Sequence, residues 1–74
     1  MDIKKKDVQE FEKIIGELDH LMQEIRSYNP EANLYVPMGS ICLMKGASHS
    51  RQGEPQQENA VSDIELGYIG GGDW

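Results

Sequence analysis

The chain has 74 residues, a single cysteine and a formal net charge of −6, from 13 acidic and 7 basic residues. So short a chain buries only about 60% of the surface its unfolded form exposes, and with Cys42 alone it can form no internal disulfide, which leaves oligomerisation as the reinforcement. The acidic balance excludes ordinary nucleic-acid binding, which needs a basic surface to displace counterions, and opposes anionic membrane surfaces, but it suits a basic protein partner.

Residues 3–28 read as one amphipathic helix. Val8, Phe11, Ile15, Leu18, Met22 and Ile25 step by three and four, which is the a/d seam of a coiled coil. Ile14, Leu21 and Tyr28 repeat every seventh residue beside that seam, at g, and widen the stripe. A domain this small has little with which to cover so many apolar groups on one helix. A homo-oligomer is therefore expected, with the a/d residues Val8, Phe11, Ile15, Leu18, Met22 and Ile25 as its interface. The mixed a/d set fixes neither the oligomer number nor the helix orientation.

Glu10, Glu17 and Glu24 repeat every seven residues, with Glu12 and Asp19 beside them. They form a solvated acidic flank, or a rod of carboxylates able to block a nucleic-acid-binding protein; the helix's own lysines weaken the second reading. Lys4, Lys5 and Lys6 lie at the N-terminus, where positive charge opposes the helix dipole. Gly16 costs the helix roughly 1 kcal/mol against alanine. It is either a tolerated surface glycine or a site where another backbone comes close. His20 falls opposite the seam and reads as solvated. Asn29-Pro30 stops the helix, because the residue before proline disfavours the α conformation.

The period then changes. Asn33–Val36 and Ile41–Met44 read as two strands around the turn Pro37-Met38-Gly39-Ser40, a β-hairpin over 33–45. Residues 46–59 hold no large apolar group and read as an exposed loop, functional or disordered. A third strand is expected over 60–69. In it Ile64, Leu66 and Tyr68 alternate with Asp63, Glu65 and Gly67, giving an apolar inner face and an acidic outer one. Residues 70–74 form a Gly-rich tail. The predicted fold is α+β in the order α-β-β-β: one domain, 1–74, with a long N-terminal amphipathic helix and a small three-stranded antiparallel sheet, homo-oligomeric through the helix. A helix of that length, about 37 Å at 1.5 Å per residue, outruns what three short strands can cover.

No catalytic set emerges. Ser48 adjoins His49, but a nucleophile needs a base held by an orienting group, and no acidic residue is placed to orient His49. The chain is therefore not expected to be an enzyme. His20, Cys42 and His49 lack the spacing of zinc ligands, so neither a metal nor a cofactor is expected. Cys42, between Ile41 and Leu43, reads as a buried structural thiol. The best ligand candidate is the segment 45–53, with Lys45, Ser48, His49, Ser50 and Arg51. Small residues there let backbone N–H groups face an anion, and Arg51 can fork onto a phosphate, although no P-loop is present. Tyr68 and Trp74 are candidates for stacking on a base. Trp74, at the end of a glycine tether, is either a free end or a docked anchor. An unpaired cysteine suits a reducing compartment, the charged start MDIKKK does not read as a signal peptide, and no segment reaches the ~18 apolar residues of a membrane span. A soluble, cytoplasmic protein is expected.

A heptad-patterned helix, LYVPMGSICLMKG, a polar loop and AVSDIELGYIGGGDW follow one another along the chain. In that overall style and in size it resembles small phage-encoded accessory proteins that counter bacterial immunity. The resemblance implies an oligomer in the host cytosol that sequesters a nucleotide-type signal or blocks a host effector; it carries over no binding residue. The expectation is thus a non-enzymatic, homo-oligomeric binding protein whose partner is a nucleotide-type small ligand or a host protein, with no direct nucleic acid and no membrane. The alternatives are a coiled-coil adaptor or assembly module, or an acidic inhibitor of a nucleic-acid-binding protein.

Overall fold

Helix α1 runs Lys5–Tyr28 in the computed structural model, which describes residues 2–37 and 39–70. It starts two residues later than the heptad pattern suggests, because Lys4 is extended and offers no side-chain cap. Its surface is laced at i,i+4 spacing. Gln23 donates to Asp19 at 2.9 Å, and His20 lies 3.2 Å from Glu24. The helix ends where Asn29 N–H bonds the carbonyl of Ile25 and the Arg26 guanidinium bonds the carbonyl of Pro30 at 2.9 and 3.2 Å. Arg26 thereby ties the last turn of the helix to the carbonyl of the turn that follows it.

Three strands follow: β1 (Asn33–Tyr35), β2 (Ser40–Met44) and β3 (Ala60–Glu65), in the sheet order β1-β2-β3 with both pairs antiparallel. The predicted α+β class and α-β-β-β order are therefore present. Gly39 makes the turn into β2 at φ +79°, a left-handed conformation that glycine adopts without strain. Leu34 pairs with Leu43 and Tyr35 with Cys42; Ile41 pairs with Ile64 and Cys42 with Asp63.

Residues directly opposite share a face of the sheet. Asn33, Tyr35, Ser40, Cys42, Asp63 and Glu65 therefore lie on one side, and Leu34, Ile41, Leu43, Ser62 and Ile64 on the other. The expected inner face of β3 is not buried, and neither is its acidic face, since Val61–Glu65 are all exposed; burial is confined to one side of β2. Ser40, Cys42 and Met44 are buried, whereas Ile64 is 58% exposed and Tyr68 98% exposed. The apolar alternation of the third strand does not mark an inner face within one chain. The strand is also shorter than 60–69, since residues 67–68 form a turn and Ile69 N–H bonds Leu66 O.

The buried face is kept dry by the segment predicted to be an exposed loop. Ser48, His49 and Ser50 are half-buried, and Gly46 is buried. His49 packs edge-on to Tyr35 with ring centroids 5.5 Å apart, and it forms an isolated bridge with Pro55. Three asparagine amides hold the segment down. Asn33 Nδ2 bonds Gly46 O at 2.9 Å, Asn59 Nδ2 bonds Ala47 O at 2.9 Å, and Asn29 Nδ2 bonds Lys45 O at 3.3 Å. Backbone bonds Gln56 N to Ser48 O and Lys45 N to Asn59 O, both 2.8 Å, complete the flap. A 3₁₀ turn, Gln57–Asn59, leads into β3.

Candidate interaction surface

No residue of α1 is buried, and the helix shares no broad contact with any strand. Among the described residues the core is small: Ala32, Cys42 and Met44 are its buried hydrophobic members. The radius of gyration, 14.3 Å, exceeds the roughly 11 Å of a compact chain this long. The helix therefore stands away from a small sheet-and-flap head. Along it Phe11 is 62% and Ile14 53% exposed; Val8, Ile15, Leu21 and Tyr28 are exposed as well. Leu18, Met22 and Ile25, nearer the head, are half-buried. The heptad stripe is thus present; its a/d seam is most open in the N-terminal half, and Tyr28 is open at the other end.

Where α1 meets the head, the stripe runs into a groove of about 180 Å³ lined by Ile25, Tyr28, Asn29, Ala32, Leu43, Met44, Lys45 and Val61. Val61 is 63% exposed at its rim. It occupies the position where β3 slips register against β2 between Leu43 and Met44, which turns its side chain toward the helix end. The groove continues the apolar surface of α1 onto the sheet.

The predicted ligand residues fall into different surroundings. Lys45 lines the groove beside Ile25 and Tyr28; Ser48, His49, Ser50 and Arg51 do not. The Ser50 hydroxyl accepts from the backbone N–H groups of Gln52 and Glu54 at 3.2 and 3.1 Å, so it shapes the turn around Gly53. Ser48 Oγ lies 3.1 Å from His49 Nδ1. Among the described residues no carboxylate orients that imidazole; its ring is set by Tyr35. Arg51 is exposed and makes no hydrogen bond or ion pair within the described residues. Tyr68 stands free on the far end of β3, and Trp74 lies outside the described residues. Sequence reasoning missed Asn33, Asn59 and Val61. The two asparagines each precede or open a strand, a position where an amide can staple a neighbouring backbone.

Cys42 is fully buried. Burial, and then the nearby Asp63 carboxylate, push its thiol pKa above the ordinary cysteine value, while a hydrogen bond with Ser40 pulls the other way. It is held as a neutral thiol, which is a poor nucleophile. No group of histidine, cysteine and carboxylate side chains among the described residues is arranged to hold a metal ion, and no described helix is long and apolar enough to cross a membrane. No protein-family model, no curated protein and no solved structure matches this chain.

Proposed function

We propose that this is a non-enzymatic binding protein that works as a homo-oligomer. Helix α1 is the assembly element, and the sheet with its flap is the head that the assembly presents. The observation that carries this reading is the open apolar stripe on α1. Most of a helix's stability in a protein comes from packing its apolar face, and within one chain the N-terminal half of that face is left exposed. Arg51, exposed in the flap, is a cation open to an anionic ligand or partner. By the resemblance to phage accessory proteins, that species is a nucleotide-type host signal or a host effector.

Light scattering coupled to size exclusion tests the assembly. The native chain should elute as a discrete oligomer and Phe11→Glu, at a site already open to solvent, as a monomer. A monomeric native chain would end the proposal. Native mass spectrometry of protein from cells carrying a bacterial immune signalling system reports retained ligand, and Arg51→Ala should lose it. A second reading, a structural assembly module, draws on Ser50 and the asparagine amides being used up in holding the flap. On that reading Arg51→Ala changes nothing.

A further inference from the structure

We propose that two copies of α1 pair antiparallel, so that the N-terminal segment of each helix seats in the groove at the head of the other. This rests on the homo-oligomer reading above and adds its geometry. The occupant of the groove is a second copy of this chain.

Two observations select the antiparallel arrangement. The first is where apolar surface stays open. Phe11, Ile14 and Ile15 leave the N-terminal half of the stripe open and exposed Ile3 continues it outward; at the other end of the helix exposed Tyr28 adjoins the groove, with Val61 at its rim. These two surfaces lie at opposite ends of α1. A two-fold axis across the middle of the helix brings each onto its counterpart, as a self-complementary interface requires. The seam then stacks Val8 on the partner's Ile25, Phe11 on the partner's Met22 and Ile15 on the partner's Leu18, and Ile3 reaches the groove.

The second observation is charge. Lys4, Lys5 and Lys6 crowd the positive end of the helix dipole. A parallel pair would set this cluster and its dipole end beside an identical one. An antiparallel pair sets it beside the partner's C-terminal carbonyls, the negative end of that dipole. The remaining flank pairs do not reverse this. Glu12 faces the partner's Asp19 when antiparallel, and Asp7 faces the partner's Glu12 when parallel, one acidic pair each. Lys5 also approaches the partner's Arg26, one basic pair against the three-lysine cluster that a parallel pair would set beside its own copy.

Disulfide trapping tests the arrangement, since bridging needs Cα atoms within roughly 4.4–6.8 Å; the native Cys42 is buried and stays out of the reaction. Val8→Cys and Ile25→Cys proteins are oxidised singly and as a mixture. The expected result is a cross-linked species in the mixture and little in either protein alone. A Val8→Cys protein that links to itself, or an oligomer in which neither experiment links, overturns the antiparallel pairing while leaving the oligomer in place. A monomeric native chain overturns both. Val61→Asp, a substitution at an exposed site, provides an independent readout: its dimer Kd should rise by about tenfold or more, equivalent to about 1.4 kcal/mol. An unchanged Kd removes the groove from the interface.

Discussion

Cys42 shows how one side chain ties the head's stability to pH. It lies at the centre of β2, opposite Asp63 and covered by the flap. Because burial and Asp63 raise its pKa, the folded state binds the thiol proton more tightly than the unfolded chain does. Its stabilising contribution is therefore complete below the unfolded cysteine value, about 8.5, and is lost as pH rises through the higher folded value. Urea unfolding between about pH 8 and pH 10 should show the native chain losing stability more steeply than Cys42→Ala. Cys42→Ala differs from the native chain at this one group, so parallel curves would mean that the thiol is not held neutral by the fold. An apolar neighbourhood in a short strand made a structural thiol the simpler reading, but Asp63 beside it was not foreseeable from alternation alone.

At the scale of elements, α1 was the most legible part of the chain because its periodicity is long and unbroken. Gly16 is its one interior weakness. A Cβ there would meet nothing within 4 Å, and the position is on the side away from the seam. Gly16→Ala should therefore stabilise the helix by about 0.5–1 kcal/mol, raising Tm by several degrees while leaving the oligomer's affinity unchanged. Loss of association would instead place another backbone against Gly16. The strands were legible in order and approximate position, but not in which side they bury. Alternation in Asp63-Ile64-Glu65-Leu66 defines two faces; it cannot say which face the rest of the chain covers. Here neither face of β3 is covered, and the buried side of β2 lies under the flap, whose polar sequence conceals how it is fastened. Asn29, Asn33 and Asn59 act through single amide bonds across 12 to 16 residues, and no periodicity records a contact of that kind. Adjacency in sequence makes the candidate ligand residues of 45–53 look like one cluster. The fold instead gives Ser50 to a turn and Lys45 to the groove, leaving Arg51 open.

Over the whole molecule, charge decides how any association responds to salt. Each copy carries −6, and its extents of 43 × 28 × 17 Å imply centres roughly 25 Å apart in a side-by-side dimer. Coulomb's law in water then gives about 6 kcal/mol of repulsion before screening. At about 0.03 M salt, with a Debye length near 18 Å, roughly 1.5 kcal/mol of that survives; at about 0.3 M almost none does. The local attraction of Lys4–Lys6 for the partner's helix end is a matter of exposed charges worth a few tenths of a kcal/mol each, so the long-range repulsion wins. Self-association should therefore tighten about tenfold between those two salt concentrations, measured by sedimentation or light scattering across a dilution series. Capture of a basic partner by the same acidic surface has the opposite sign, since salt screens an attraction there. If the native oligomer loosens as salt rises, its copies are not held by an apolar stripe working against like charge, and the assembly must be sought in complementary charged surfaces instead.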